Sequence, residues 1–158
     1  MVNALDRARA LRLDCVQVFT RNQRQWRAPP LRAEDLEAWW SRLSQMGWDD
    51  AEDGDRVISH NSYLVNLASP DRAARGRSIT LQRDEMERCE ALGIPLLVAH
   101  PGARLGKPRL RGQANDLSGP ISRAERAGLR RIGASLDRLH RDLPGYRVVS
   151  CLETTVGS

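Results

Sequence analysis

An α/β fold built on a parallel sheet is the class this sequence predicts, and three observations predict it. Helical and strand patterns alternate along the chain, with a single helix between successive strands, as right-handed βαβ units require. One strand candidate, residues 95–100, is an almost unbroken apolar run, expected of a strand buried on both faces of such a sheet. Three metal-type residues, His60, His100 and Glu153, fall at the ends of successive strand candidates, where parallel α/β folds gather their functional groups.

The elements follow in order. Residues 2 to about 12 read as a short helix and 15–19 as the first strand. After a polar loop containing Pro29 and Pro30, a helix begins near Arg32 with Leu36, Trp39, Trp40, Leu43 and Met46 on one face; spacings of 3 and 4 define an amphipathic helix. Trp39 and Trp40 are then expected as core and edge packing. An acidic turn, 49–55, leads into the strand 56–60, and a loop follows over 61–70. The long helix 71–92 turns Ile79, Met86 and Cys89 inward and stops at Gly93, the usual residue for a helix C-terminus. The strand 95–100 gives way to a long loop over 101–120, rich in Gly, Pro, Arg and Asn. A further helix places Leu129, Ile132, Leu136, Leu139 and Leu143 on one face and ends at Pro144-Gly145, before a last strand over 146–153.

A chain of 158 residues with 41 % hydrophobic content fits one domain, 1–158, with a real core. No apolar run approaches the roughly 20 residues that span a bilayer, and charges arrive by Asp6 and Arg7, too early for a signal peptide; a cytoplasmic location is expected. Cys15, Cys89 and Cys151 form no CxxC pair, so neither a disulfide framework nor a thiolate zinc site is indicated, and each is expected as a small buried hydrophobe. Net charge is +5, and Lys107 is the only lysine. The balance suits phosphate-rich partners, although genomic composition can produce the same arginine bias.

Only three histidines occur, and two of them take equivalent strand-end positions. The third, His140, sits near a helix C-terminus, where a capping or solvent-facing role fits. Two imidazoles and a carboxylate converging on one point suit Zn²⁺ or a similar divalent ion with open positions for water and substrate. The plainer alternative is that each side chain hydrogen-bonds a neighbouring loop. The loop after the first strand, 19–27, carries three arginines, Asn22, two glutamines and Trp26, and no acid; such a segment can hold phosphates and base edges. Tyr63 and Leu64 follow His60 directly, and apolar residues so placed can wedge between base steps or pack beneath the loop.

These residues resemble the endonuclease IV family of apurinic/apyrimidinic (AP) endonucleases. Residues 19–30 look like its signature loop, 60–67 (His-Asn-Ser-Tyr-Leu-Val-Asn-Leu) match a second block, 84–93 a third, Ala99-His100-Pro101-Gly102 with Leu105-Gly106 a fourth, and Leu152-Glu153 with Thr155 and Gly157 a weaker fifth. The resemblance implies a xylose isomerase-like (β/α)₈ TIM barrel, with a three-zinc site that cleaves the phosphodiester bond 5′ to abasic sites in double-stranded DNA. His60 and His100 would bind one zinc. Glu153 would bridge it to a second, as both metal ligand and catalytic carboxylate. Asn22, Arg24, Tyr63 and Leu64 would meet the DNA.

The departures are specific. The family's first strand and everything after its fifth are absent, leaving about four of eight strands, and the ligands of the other two zincs with them. Residues 107–123 look like an insertion; Asn61 stands where the family usually has Asp, and Thr154 where it usually has Asn. Two rivals remain at this level: a metal-dependent sugar isomerase or epimerase on the same barrel, against which the 22–26 loop argues, and a truncated, non-catalytic remnant with weak DNA or zinc binding.

Overall fold

The computed structural model describes residues 1–49, 56–103 and 121–154. The acidic turn (beyond Asp49), nearly all of the long loop and the 107–123 segment as far as 120, and Thr155 and Gly157 lie outside the described residues. Among the described residues four helices and four strands alternate: α1 (Val2–Ala10), β1 (Val16–Val18), α2 (Ala33–Gln45), β2 (Val57–His60), α3 (Arg72–Ala91), β3 (Leu96–Ala99), α4 (Arg123–Asp142) and β4 (Val149–Leu152). The strands form one parallel sheet in the order β1-β2-β3-β4. Each strand thus lies beside its neighbour in sequence with no reversal of direction across the sheet, which is the winding of a (β/α) barrel and not of an open doubly wound sheet. Four strands make it a partial barrel.

The core lies between the sheet and the helices. Leu5, Ala8, Trp39, Leu43, Met86, Cys89, Leu92, Leu97 and Leu139 pack there, all nearly or wholly buried. Trp39 adds a hydrogen bond from its indole Nε1 to the Leu92 carbonyl at 2.9 Å, as a buried Trp requires. Trp40 is the edge residue: it is partly exposed and its ring seals the end of α3. Gly93 there has φ +67, and a Cβ at that position would sit 2.2 Å from the Trp40 ring, so both the left-handed turn and the close approach demand glycine. The N-terminus of α3 is capped by Asp71 and that of α4 by a Ser122–Glu125 capping box.

Several expectations are corrected. β3 is not fully buried on both faces: Leu97 and Ala99 are buried, whereas Leu96 and Val98 keep intermediate exposure. Leu129 is exposed, since the buried face of α4 runs through Gly128, Ser135 and Leu139 and Leu129 is turned away from it. Of the cysteines only Cys89 is fully buried, with Cys15 exposed and Cys151 intermediate. Burial pushes the Cys89 thiol up to about 12, so it stays an uncharged packing group. His140 is exposed in the last turn of α4, as expected. Among the described residues no helix is long and apolar enough to cross a membrane.

Candidate metal centre

Register sets the site. His60 ends β2 and pairs with Val98, and Ala99 pairs with Leu152. The next residue on each strand is therefore His100 beside Glu153, with the Glu153 N–H donating to the Ala99 carbonyl at 3.0 Å. All three side chains emerge at the carboxyl edge of adjacent parallel strands. One ligand atom from each lies within 4.8 Å of the others. The Glu153 Oε2 is 3.5 Å from His60 Nε2 and 3.7 Å from His100 Nε2, spacing that one small cation between them could close.

The imidazoles are oriented for that role. His60 Nδ1 lies 2.8 Å from the Asn61 carbonyl and His100 Nδ1 3.3 Å from the Glu153 carbonyl. A carbonyl only accepts, so in each ring the proton belongs on Nδ1 and the Nε2 lone pair faces the shared point. This backbone support is indifferent to the identity of residue 61. Asn61 itself is buried, accepts from the Ser62 N–H at 2.8 Å and donates to the Gln82 side chain; an aspartate there could not make that donation. The donor set fits zinc: two neutral nitrogens and a carboxylate oxygen. Exposure is graded, with side chains 6 % exposed for His60, 25 % for His100 and 53 % for Glu153, so the carboxylate side opens to solvent.

Aromatic rings wall the centre. Tyr63, 60 % exposed, stacks on His100 with centroids 5.8 Å apart and lies 5.2 Å from His60, while Phe19 stands 5.6 Å from His60. Leu64 turns the other way and packs in part against the core. Asn22 and Arg24 are exposed on the loop after β1, where the Asn22 side-chain oxygen accepts from the Arg24 N–H at 2.9 Å. That loop is pinned to the next by the Ser62 hydroxyl, which donates to the Gln23 carbonyl at 2.7 Å.

Residues on α3, which strand-end reasoning passes over, hold these loops. Glu85 is buried; its carboxylate accepts from the Thr20 hydroxyl at 2.6 Å and from the Ser62 N–H at 3.2 Å. One side chain thus ties the loops after β1 and β2. Burial raises its pKa above the usual carboxylate value, while the Thr20 hydrogen bond, the Arg21 charge and the Ser62 N–H pull it down. Asp84 pairs with both Arg21 and Arg88, and Arg88 reaches the carbonyls of Thr20 and Pro29. The buried face of α3 also carries Ser78 and Gln82, and the helix has many other charges, so no local pattern singled out Asp84, Glu85 and Arg88.

A parallel sheet wound as part of a barrel is a frame that known proteins share. The model of the xylose isomerase-like TIM barrel family matches residues 5–158, and the chain belongs to that family. The "Probable endonuclease 4" of Chloroflexus aggregans is 37 % identical over 151 residues, covering 96 % of this chain and 45 % of the relative. That of Geobacter sulfurreducens is 37 % identical over 153 residues, covering 95 % and 44 %. The crystal structure of endonuclease IV from Thermus thermophilus superposes with a TM-score of 0.66 at 23 % identity, over 94 % of this chain and 45 % of that one, and shares the fold. The chain therefore spans a little under half the length of these relatives.

Proposed function

We propose that this chain carries one zinc subsite and the DNA-entry loops of a deoxyribonuclease IV-type AP endonuclease, cleaving 5′ to abasic sites in double-stranded DNA during base excision repair. The observation that carries the reading is the His60, His100 and Glu153 cluster at three adjacent strand ends, with the exposed ring of Tyr63 against it. Endonuclease 4 relatives over nearly the whole chain support it.

In this reading His60 and His100 hold a zinc ion through Nε2, and Glu153 supplies an oxygen on the solvent side that a second ion could share. A bound zinc contributes Lewis acidity toward a phosphate oxygen. The protein's own groups do the rest. The Asn61 and Glu153 carbonyls fix the two imidazole tautomers. Arg24, exposed and without an acidic partner among the described residues, is available to a backbone phosphate. Tyr63 is placed to fill the gap left by a missing base, where unstacking costs least, and Leu64 backs it from the loop interior. Asn22 holds the Arg24 turn.

The test is incision of a duplex containing a tetrahydrofuran abasic analogue. Zinc-dependent cleavage 5′ to the lesion that is lost in His60→Ala, His100→Ala and Glu153→Ala supports the reading. Absence of cleavage when the chain, extended by the remaining strands of its relatives, is loaded with zinc would refute it.

A further inference from the structure

A second charged feature lies between α3 and α4, away from the strand ends. A cavity of about 450 Å³ is lined by Arg75, Arg130, Arg131 and Arg138, with Ser135, Ile79 and two alanines completing the wall and no acid among them. Two of the four guanidiniums are held in place from behind. Arg75 Nη1 donates to the Ser69 carbonyl at 2.6 Å, and Arg131 Nε donates to the Ala68 carbonyl at 2.7 Å. Each spends one N–H on adjacent carbonyls of one turn and keeps the others. Among the described residues the counter-charge is Asp142, 3.5 Å from Arg138, and it is already paired with Arg83.

Guanidinium does not deprotonate in proteins, so this cavity gathers four permanent cations, with Asp142 the one carboxylate paired to any of them among the described residues. Like charges so placed disfavour the fold unless an anion joins them. A planar fork of N–H donors matches a phosphate oxyanion, and the cavity is large enough for more than one phosphoryl group. A second groove, about 730 Å³, shares Arg138 and runs on to Arg77, Trp26 and Arg27, with Arg21 at its wall neutralised by Asp84 and Arg77 lying 5.7 Å over the Trp26 ring. The two grooves together run from α4 across α3 to the loop after β1, with arginines in excess of acids.

We infer that the α3–α4 cavity is a phosphate-binding site, taking either a free di- or polyphosphate or consecutive phosphates of a nucleic-acid backbone. It shares no residue with the His60–His100–Glu153 cluster and does not rest on the endonuclease reading.

Titration calorimetry in metal-free, low-salt buffer tests it, with pyrophosphate as one probe and an undamaged 20-base-pair duplex as the other. The exposed pair Arg130→Gln and Arg138→Gln is changed together. A control loses the same charge at Arg7 and Arg9 on α1. The double variant should bind at least one probe about tenfold more weakly than wild type, with the control within twofold. Loss toward the duplex assigns the site to a nucleic-acid backbone, and loss toward pyrophosphate alone assigns it to a free polyphosphate. Wild type binding neither probe, or an equal loss in the control, overturns the inference. Pyrophosphate binding in metal-free buffer does not involve the strand-end cluster, so that arm separates failure here from failure of the metal-centre reading.

Discussion

Replacing Glu85 is the sharpest test of how the site is held. Its two oxygens accept from the Thr20 hydroxyl and the Ser62 N–H, and both donors belong to buried residues. In Glu85→Ala the Thr20 hydroxyl loses its acceptor in a place water does not reach, while the Ser62 N–H keeps the Asn61 side-chain oxygen at 2.8 Å. An unsatisfied buried donor costs about 1–3 kcal/mol, and loss of the second acceptor at Ser62 adds to this while release of the buried carboxyl returns part of it, so the net loss should be about 2 kcal/mol. For a domain of this size that is roughly 4–8 °C in melting temperature. Glu85→Gln keeps one acceptor oxygen and offers an N–H to the Thr20 oxygen, so its cost at neutral pH should be about 1 kcal/mol or less. The pH dependence carries a second signature. Burial raises the Glu85 pKa in the folded state, so between the ordinary carboxylate value and that raised value the folded chain binds more protons than the unfolded chain. Stability then falls as pH rises through that window, and the contribution is fully present only below it. Glu85→Gln has no such proton, so the gap between wild type and this variant should narrow as pH increases. Chemical denaturation from pH 4 to pH 8 measures all three proteins. Equal losses for Ala and Gln, or a gap independent of pH, would refute the account.

Three further outcomes are expected. Zinc at a hundredfold excess over its dissociation constant should stabilise the chain by about 2.7 kcal/mol; differential scanning fluorimetry should show this shift disappearing in His60→Ala or His100→Ala and after chelation. Gly102→Ala should cost about 1–3 kcal/mol, because φ is +94 and the new Cβ would lie 2.3 Å from Asn66 Oδ1; it should also weaken zinc binding measured by competition, since His100 is two residues away, whereas Gly93→Ala should lower stability and leave zinc affinity alone. Trp39→Ala should cost about 3–5 kcal/mol by urea denaturation, and Trp40→Ala, at a partly exposed edge, clearly less.

The alternation of four helices and four strands, the stops at Gly93 and Pro144-Gly145, and the placing of His60, His100 and Glu153 at strand ends were all legible in the order of residues. These are local properties: periodicity and turn chemistry act over a few residues and are written along the chain. What depends on packing between distant segments emerged only from the folded arrangement. Strand order distinguished a barrel-type winding from an open sheet, because hydrogen bonding between β1, β2, β3 and β4 has no signature within any one strand. Register brought Glu153 beside His100 across 53 positions. Coverage left Leu96, Val98 and Leu129 partly open, since burial depends on a neighbouring layer and not on side-chain character. The part played by Glu85 also needed three dimensions, because a carboxylate on a helix is read as a solvated charge until a threonine 65 residues earlier is found donating to it.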